Sequence, residues 1–201
     1  MKGSGAGVMG GAAAPVLRAD ARRNRDKLLA EAAQLFAERG VNAALEEIAR
    51  RAGVGIGTLY RHFPTRDALI ATVYQRESEA LYAAAEELAA RLPADEALAR
   101  WMHRSLDMMA TKRGLGESLK ALLRERPELL AASKSGFPAM VERLLGAAKA
   151  SGRIRGDIEL ADVLHALNGI YAAPESVEWR ARSGRVLDLL VAGMRQGATV
   201  G

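Results

Sequence analysis

Residues 53–69 read Gly53-Val-Gly-Ile-Gly-Thr-Leu-Tyr-Arg-His-Phe-Pro-Thr-Arg-Asp-Ala-Leu69. Three glycines within five residues oppose helix formation, because glycine loses more backbone freedom on ordering than any other residue. Ile56, Leu59, Tyr60 and Phe63 nevertheless recur at the spacing of one helical face, and Pro64 ends the pattern. The spacing predicts a short helix with Thr58, Arg61 and His62 on its other side and almost no side chains at its start.

Upstream, Leu45, Ile48, Ala49 and Ala52 fall at i, i+3, i+4 and i+7, which predicts a second short helix over 45–52, broken by Gly53. A longer one is expected over 22–39, with Leu28, Leu29, Ala32, Leu35 and Phe36 inward and Gly40 as its stop. Two short helices joined by a tight glycine turn and packed on a longer one form a helix-turn-helix. A recognition helix enters a groove about 12 Å wide with its first turn against base edges, so a start bare of side chains permits close approach. Free N–H groups at that end also favour an anion.

The segment LLAEAAQLFAERGVNAALEEIARRAGVGIGTLYRHFPTRDALI, residues 28–70, resembles the DNA-binding domain of the TetR family of bacterial transcriptional regulators. The signatures Ile48-Ala49…Ala52-Gly53-Val54 and Thr58-Leu59-Tyr60-Arg61-His62-Phe63, followed by Arg66-Asp67-Ala68-Leu69, are specific in combination. The resemblance implies phosphate contacts from Thr58, Tyr60, His62 and Arg66, and base-edge contacts from Leu45, Ile56, Gly57 and Tyr60. It also implies an all-α chain: a three-helix DNA-binding head, a long fourth helix, and a helical domain for ligand binding and dimerisation. The expected divisions are a flexible lead-in over 1–15, the head over 16–66 and the second domain over 67–201. One departure is Ala44, where the family usually has Ser or Thr before the second helix; a cap worth about 0.5–2 kcal/mol is absent. Leu45, Ile56 and Gly57 have no side-chain hydrogen-bonding group, so sequence reading would lean on thymine methyls, on Tyr60 and on DNA shape.

Charge agrees with a polyanionic partner for the head. The 201-residue chain has 29 Lys and Arg against 24 Asp and Glu, a net +5. Residues 16–66 hold ten basic against six acidic side chains, whereas 67–201 balance at eighteen of each. The basic run Arg18 to Arg25 leads into the expected first helix and offers a backbone or minor-groove arm, or simply a solvated helix start. Half the chain (49%) is hydrophobic and only 4% aromatic, a composition that suits helices. Without cysteine there are no disulfides or thiolate metal sites, and no apolar run is long enough to span a membrane. A cytoplasmic protein is expected.

Thr65 is a candidate N-cap for a long fourth helix reaching Arg91, with Leu69, Val73, Leu81 and Leu88 on its inner face. Beyond Pro93, helical segments are expected over 95–112, 117–124, 128–133 continuing into 137–151, 159–171 and 176–196, punctuated at Pro127, Gly136/Pro138, Gly152, Gly156 and Pro174. Trp101, Met102, His103, Leu106, Met109, Leu119, Met140, Leu144, Asn168 and Tyr171 are candidates for lining a pocket for a small apolar effector, the alternative for each being plain core. Val163, Leu167, Ile170, Val186, Leu187, Leu190 and Met194 form two stripes on the last helices. They serve either a four-helix homodimer interface, as the resemblance implies, or the interior of one subunit. No nucleophile–base motif, phosphate loop, metal-ligand spacing or cofactor signature occurs. The expectation is therefore a non-enzymatic regulator acting on double-stranded DNA; the rival is a helical ligand-binding or scaffold protein that has lost specific DNA binding.

Overall fold

The computed structural model describes residues 13–174, 176 and 178–197. Most of the expected lead-in therefore lies outside the described residues, and its last three residues are already helical. The order is α1 (Ala13–Arg39), α2 (Leu45–Arg51), α3 (Ile56–His62), α4 (Arg66–Arg91), α5 (Ala94–Glu125), α6 (Pro127–Ala150), α7 (Leu160–Ala172) and α8 (Trp179–Arg195). No strand occurs among the described residues.

The head forms where local signals agree. Leu28, Leu35 and Phe36 of α1, Ile48 of α2 and Leu59 of α3 are all fully buried, with Phe63 closing the base. The turn after α2 is a Schellman motif: Val54 N–H donates to Ala49 O at 3.0 Å, Gly53 N–H donates to Arg50 O at 3.2 Å, and Gly53 has φ 69°. A side chain there would cost about 1–2 kcal/mol of left-handed strain. Ala44, at the N-cap of α2, makes no side-chain cap bond, whereas the Thr65 hydroxyl accepts from Ala68 N–H at 3.1 Å and starts α4 as expected. Of the two readings of the basic run, the helical one agrees with the structure: Arg18 to Arg25 belong to α1, whose helix begins well before the expected position 22. No glycine or interior proline interrupts the chain between Ala13 and Arg39, so nothing local stops that helix.

α5 is the spine of the molecule and packs against α1, α4, α6 and α8. Helical geometry breaks inside it at Gly116 (φ 50°, ψ −132°), which agrees with separate segments over 95–112 and 117–124. It meets the end of α1 at very close range: a Cβ on Gly114 would fall 1.8 Å from the Phe36 carbonyl oxygen. Trp101 binds α5 to α4 by donating from Nε1 to Leu81 O at 2.9 Å in the core. Asp95, nearly buried, ties Arg195 at 2.6 Å and Arg153 at 3.5 Å, anchoring the end of α8 and the turn after α6 to the start of α5.

The expected break at Gly136/Pro138 does not occur, and α6 runs through both. Packing overrides the local signal here. Gly136 allows α6 to approach Tyr82, whose hydroxyl would lie 2.5 Å from a Cβ at that position. α7 opens with a capping box between Glu159 and Asp162, and α8 lies across α5 and α7.

Candidate functional site

The head presents a sparsely covered surface. Leu59 and Phe63 turn inward, leaving Ile56 at 37% and Tyr60 at 47% exposure beside exposed Arg61. A Cβ on Gly55 or Gly57 would touch nothing within 4 Å, so no neighbour in the protein requires glycine there. The backbone at both positions is open to solvent. Thr58 and His62 are half-buried on the flanks. Leu45 is different: as the first residue of α2 it shares a face with Ile48 and Ala49 and is 7% exposed. It belongs to the head's core, which removes it as an exposed base-reading side chain.

Arg66 is already occupied. Its Nη1 donates to Val41 O at 2.5 Å and Ala43 O at 2.9 Å, clamping the loop between α1 and α2. Only its remaining donors could face a phosphate. Two further cations brace the head. The Arg25 guanidinium lies 5.6 Å from the centre of the Phe63 ring, and Arg76 of α4 donates to Asp26 O of α1 at 2.7 Å. On α2, Glu47 accepts from Arg50 at 2.7 Å and Arg51 at 3.2 Å, and these hydrogen bonds hold its carboxyl down to about 2. That pairing tempers the positive charge of Arg50 and Arg51 beside the recognition helix.

Below the head, α4, α5, α6 and α7 enclose a cavity of about 530 Å³, within the range of about 300–1,000 Å³ that holds small organic ligands. Of the ten pocket candidates, Met109, Asn168 and Tyr171 line it. Trp101, Met102, Leu106, Leu119 and Leu144 are instead closed core, at 3% exposure or less. Trp101 lies behind the cavity wall, its ring 5.1 Å from that of Phe137. His103 points to the α5–α8 surface, with Nε2 2.8 Å from Asp188 Oδ1, and Met140 meets Arg143 through its sulfur at 3.2 Å. The Tyr171 hydroxyl bonds Ser105 Oγ, and burial pushes its phenol up to about 12. Sequence reasoning missed Tyr74, Tyr82 and Lys112 as lining residues. The lysine left a readable trace, since it follows Met108 and Met109 at i+4 and i+3 on one face of α5.

A second concavity, about 760 Å³, is an open groove between α7 and α8, walled by Ala166, Gly169, Ile170, Val186, Leu189 and Leu190 among others. Three of the seven expected dimer residues are there: Ile170, Val186 and Leu190. Val163, Leu167, Leu187 and Met194 are at most 2% exposed, so the subunit's own core consumes them. Leu189, 72% exposed, is the residue the stripe reading passed over.

A helix-turn-helix head with an exposed recognition helix, carried on a helical second domain, defines a DNA-binding transcriptional regulator. Residues 28–73 match the family described as bacterial regulatory proteins, tetR family, and residues 93–196 match the C-terminal domain of SbtR-like transcriptional regulators. A TetR transcriptional regulator of Streptomyces coelicolor is 41% identical, with a TM-score of 0.76 over 87% of this chain and 99% of that one. A TetR regulatory protein of Mycobacterium vanbaalenii is 34% identical, with a TM-score of 0.70 over 89% and 99%. An HTH-type transcriptional regulator of Staphylococcus aureus is 44% identical over 62 residues, 30% of this chain and 34% of that protein, so this match spans about a third of the relative's length. The chain belongs to the TetR family of transcriptional regulators. Among the described residues no helix is long and apolar enough to cross a membrane, and no three His, Asp or Glu side chains group as metal ligands.

Proposed function

We propose that this chain is a homodimeric, ligand-responsive repressor of transcription. Residues 16–66 serve as the DNA-binding unit and 67–201 as the effector-binding and dimerisation unit. Two copies pair through the α7–α8 groove, and their two α3 helices read the half-sites of a near-palindromic operator. Thr58, Tyr60 and His62, with the spare donors of Arg66, hold phosphates, while Ile56, Gly57 and Tyr60 meet base edges. The protein carries out no catalysis, needs no cofactor and works in the cytoplasm.

A single turn of α5 carries this reading. Lys112 lines the cavity; Arg113 donates to Ala173 O and lies 4.5 Å from the centre of the Trp179 ring on the groove's wall; Gly114 abuts Phe36 at the end of α1. Three consecutive residues thus touch the effector cavity, the dimer groove and the head. A small apolar molecule that fits the cavity better when the two heads are wrongly spaced shifts the population away from DNA.

The test begins with selection of duplexes from a random library by the purified full chain at near-physiological salt. An inverted repeat is expected, with affinity falling steeply as salt rises. Enrichment of nothing by a folded dimer would move the function to the second domain, as a ligand-binding protein without specific DNA binding. Operator release is then measured against candidate effectors. A ligand that saturates the cavity and leaves operator affinity unchanged would remove the induction step.

A further inference from the structure

The cavity is apolar and aromatic in most of its wall, yet it contains a cation. Lys112 enters it from α5, half-buried, and forms no hydrogen bond or ion pair with any described residue. None of the lining residues is an acid; the polar groups are the hydroxyls of Tyr74, Tyr82 and Tyr171 and the amide of Asn168 at the mouth. The nearby acids Glu77 and Asp107 line a separate cleft that shares only Leu81 and Met108 with the cavity, and Asp107 is paired with Arg180 at 2.7 Å. Burial alone pushes the Lys112 ammonium down from its ordinary value.

Other cations of the second domain show the contrast. Lys120 pairs with Glu117 at 2.6 Å, and Lys149 donates to Ile158 O at 2.8 Å. Lys112 holds its charge in a partly desolvated wall with no counter-ion among the described residues. Such a group is costly until an anion reaches it, and a charge-assisted bond in that setting is stronger than a neutral one. A phosphate, with about −1.5 to −2 charges near neutral pH, would call for more than one cation. One ammonium matches one carboxylate.

We propose that the cavity binds an amphiphilic monocarboxylate, its apolar body lying against Phe137, Tyr171 and Met109 and its carboxylate ion-paired with Lys112. This rests on the cavity being the effector site, but the binding itself needs no DNA and can be tested without it.

Decanoate, decanol and decylamine form a series with one apolar body and three head groups, and their binding to the full chain can be followed by calorimetry near neutral pH. Decanoate is expected to bind about tenfold or more tighter than decanol, and decylamine more weakly than decanol. Lys112→Met should abolish the preference for the acid while leaving decanol affinity within about twofold, and Lys112→Arg should keep it. Equal binding of decanoate and decanol, or no binding of any of the three, overturns the proposal whatever the variants do. So does an acid preference that survives in Lys112→Met. Saturating decanoate is then added to the operator complex. Lys112-dependent binding without release would leave this inference standing and defeat the induction reading. Release by neutral molecules with no acid preference would do the reverse.

Discussion

Two pairs of large apolar side chains stand exposed at different parts of the fold: Ile56 and Tyr60 on α3, and Val186 and Leu189 on α8. By hydrophobicity alone they are alike. Their surroundings differ. The α3 pair sits on a seven-residue helix between open glycine positions and exposed Arg61, on a small head with excess positive charge. The α8 pair borders a groove of about 760 Å³ whose other wall is the small-residue face of Ala166 and Gly169. The first arrangement suits a polyanion with shallow apolar edges; the second suits a matching apolar surface. Exposed hydrophobic area marks a contact, and the neighbouring charge and shape state what kind.

Leu189→Arg puts a charge into the proposed dimer face; sedimentation should show monomers, and operator affinity should fall about 100-fold or more through loss of the second half-site. Dimers that persist in that variant would show that the α8 pair is not the interface. Tyr60→Ala is the converse. Losing about 1–3 kcal/mol of groove contact should weaken operator binding about 10- to 100-fold, with the dimer intact. A change in dimer mass instead would mean that the two surfaces are not independent.

Gly57→Ala separates stability from recognition. Nothing lies within 4 Å of the new methyl, so the head should gain about 0.5–1 kcal/mol by denaturant titration. The same methyl would stand where the DNA approaches, and operator affinity should drop severalfold. Improved stability with unchanged affinity would place the groove floor elsewhere.

One effect belongs to neither surface. Tyr171 keeps its proton up to about 12 in the fold because it is buried, whereas an unfolded tyrosine ionises near 10. The folded state then binds more protons between those values, so this contribution is complete below about pH 10 and is lost as pH rises through about 12. Tyr171→Phe should lose stability less steeply across that window, as read by denaturant midpoints at each pH. Parallel curves for the two chains would exclude Tyr171 as the source.

Legibility in the sequence followed how local each signal was. Leu59 and Phe63 inward, Gly53 as the turn and Thr65 as a cap were readable because each depends on a few neighbouring residues. Leu45 carried two readings, a core position by its spacing with Ile48 and Ala49 and a base contact by resemblance, and its burial in the head agrees with the first. Gly136 and Pro138 signalled a break, but α6 is held on both flanks and continues. On α7 and α8 the apolar stripes were correctly placed and wrongly shared out. Periodicity says that a face is buried, but it does not say whether the subunit or a second copy buries it.

What the sequence determined by itself was therefore the helical architecture, the helix-turn-helix and its family, and a basic head on a neutral body. All of these rest on spacing, caps and charge along short stretches of chain. The tertiary structure alone decided that Arg66 clamps the α1–α2 loop, that Leu189 stands outside while Leu187 is core, and that Lys112 enters a cavity beside the turn of α5 touching α1. These facts depend on which surfaces residues far apart in the chain bring together, and packing sets that.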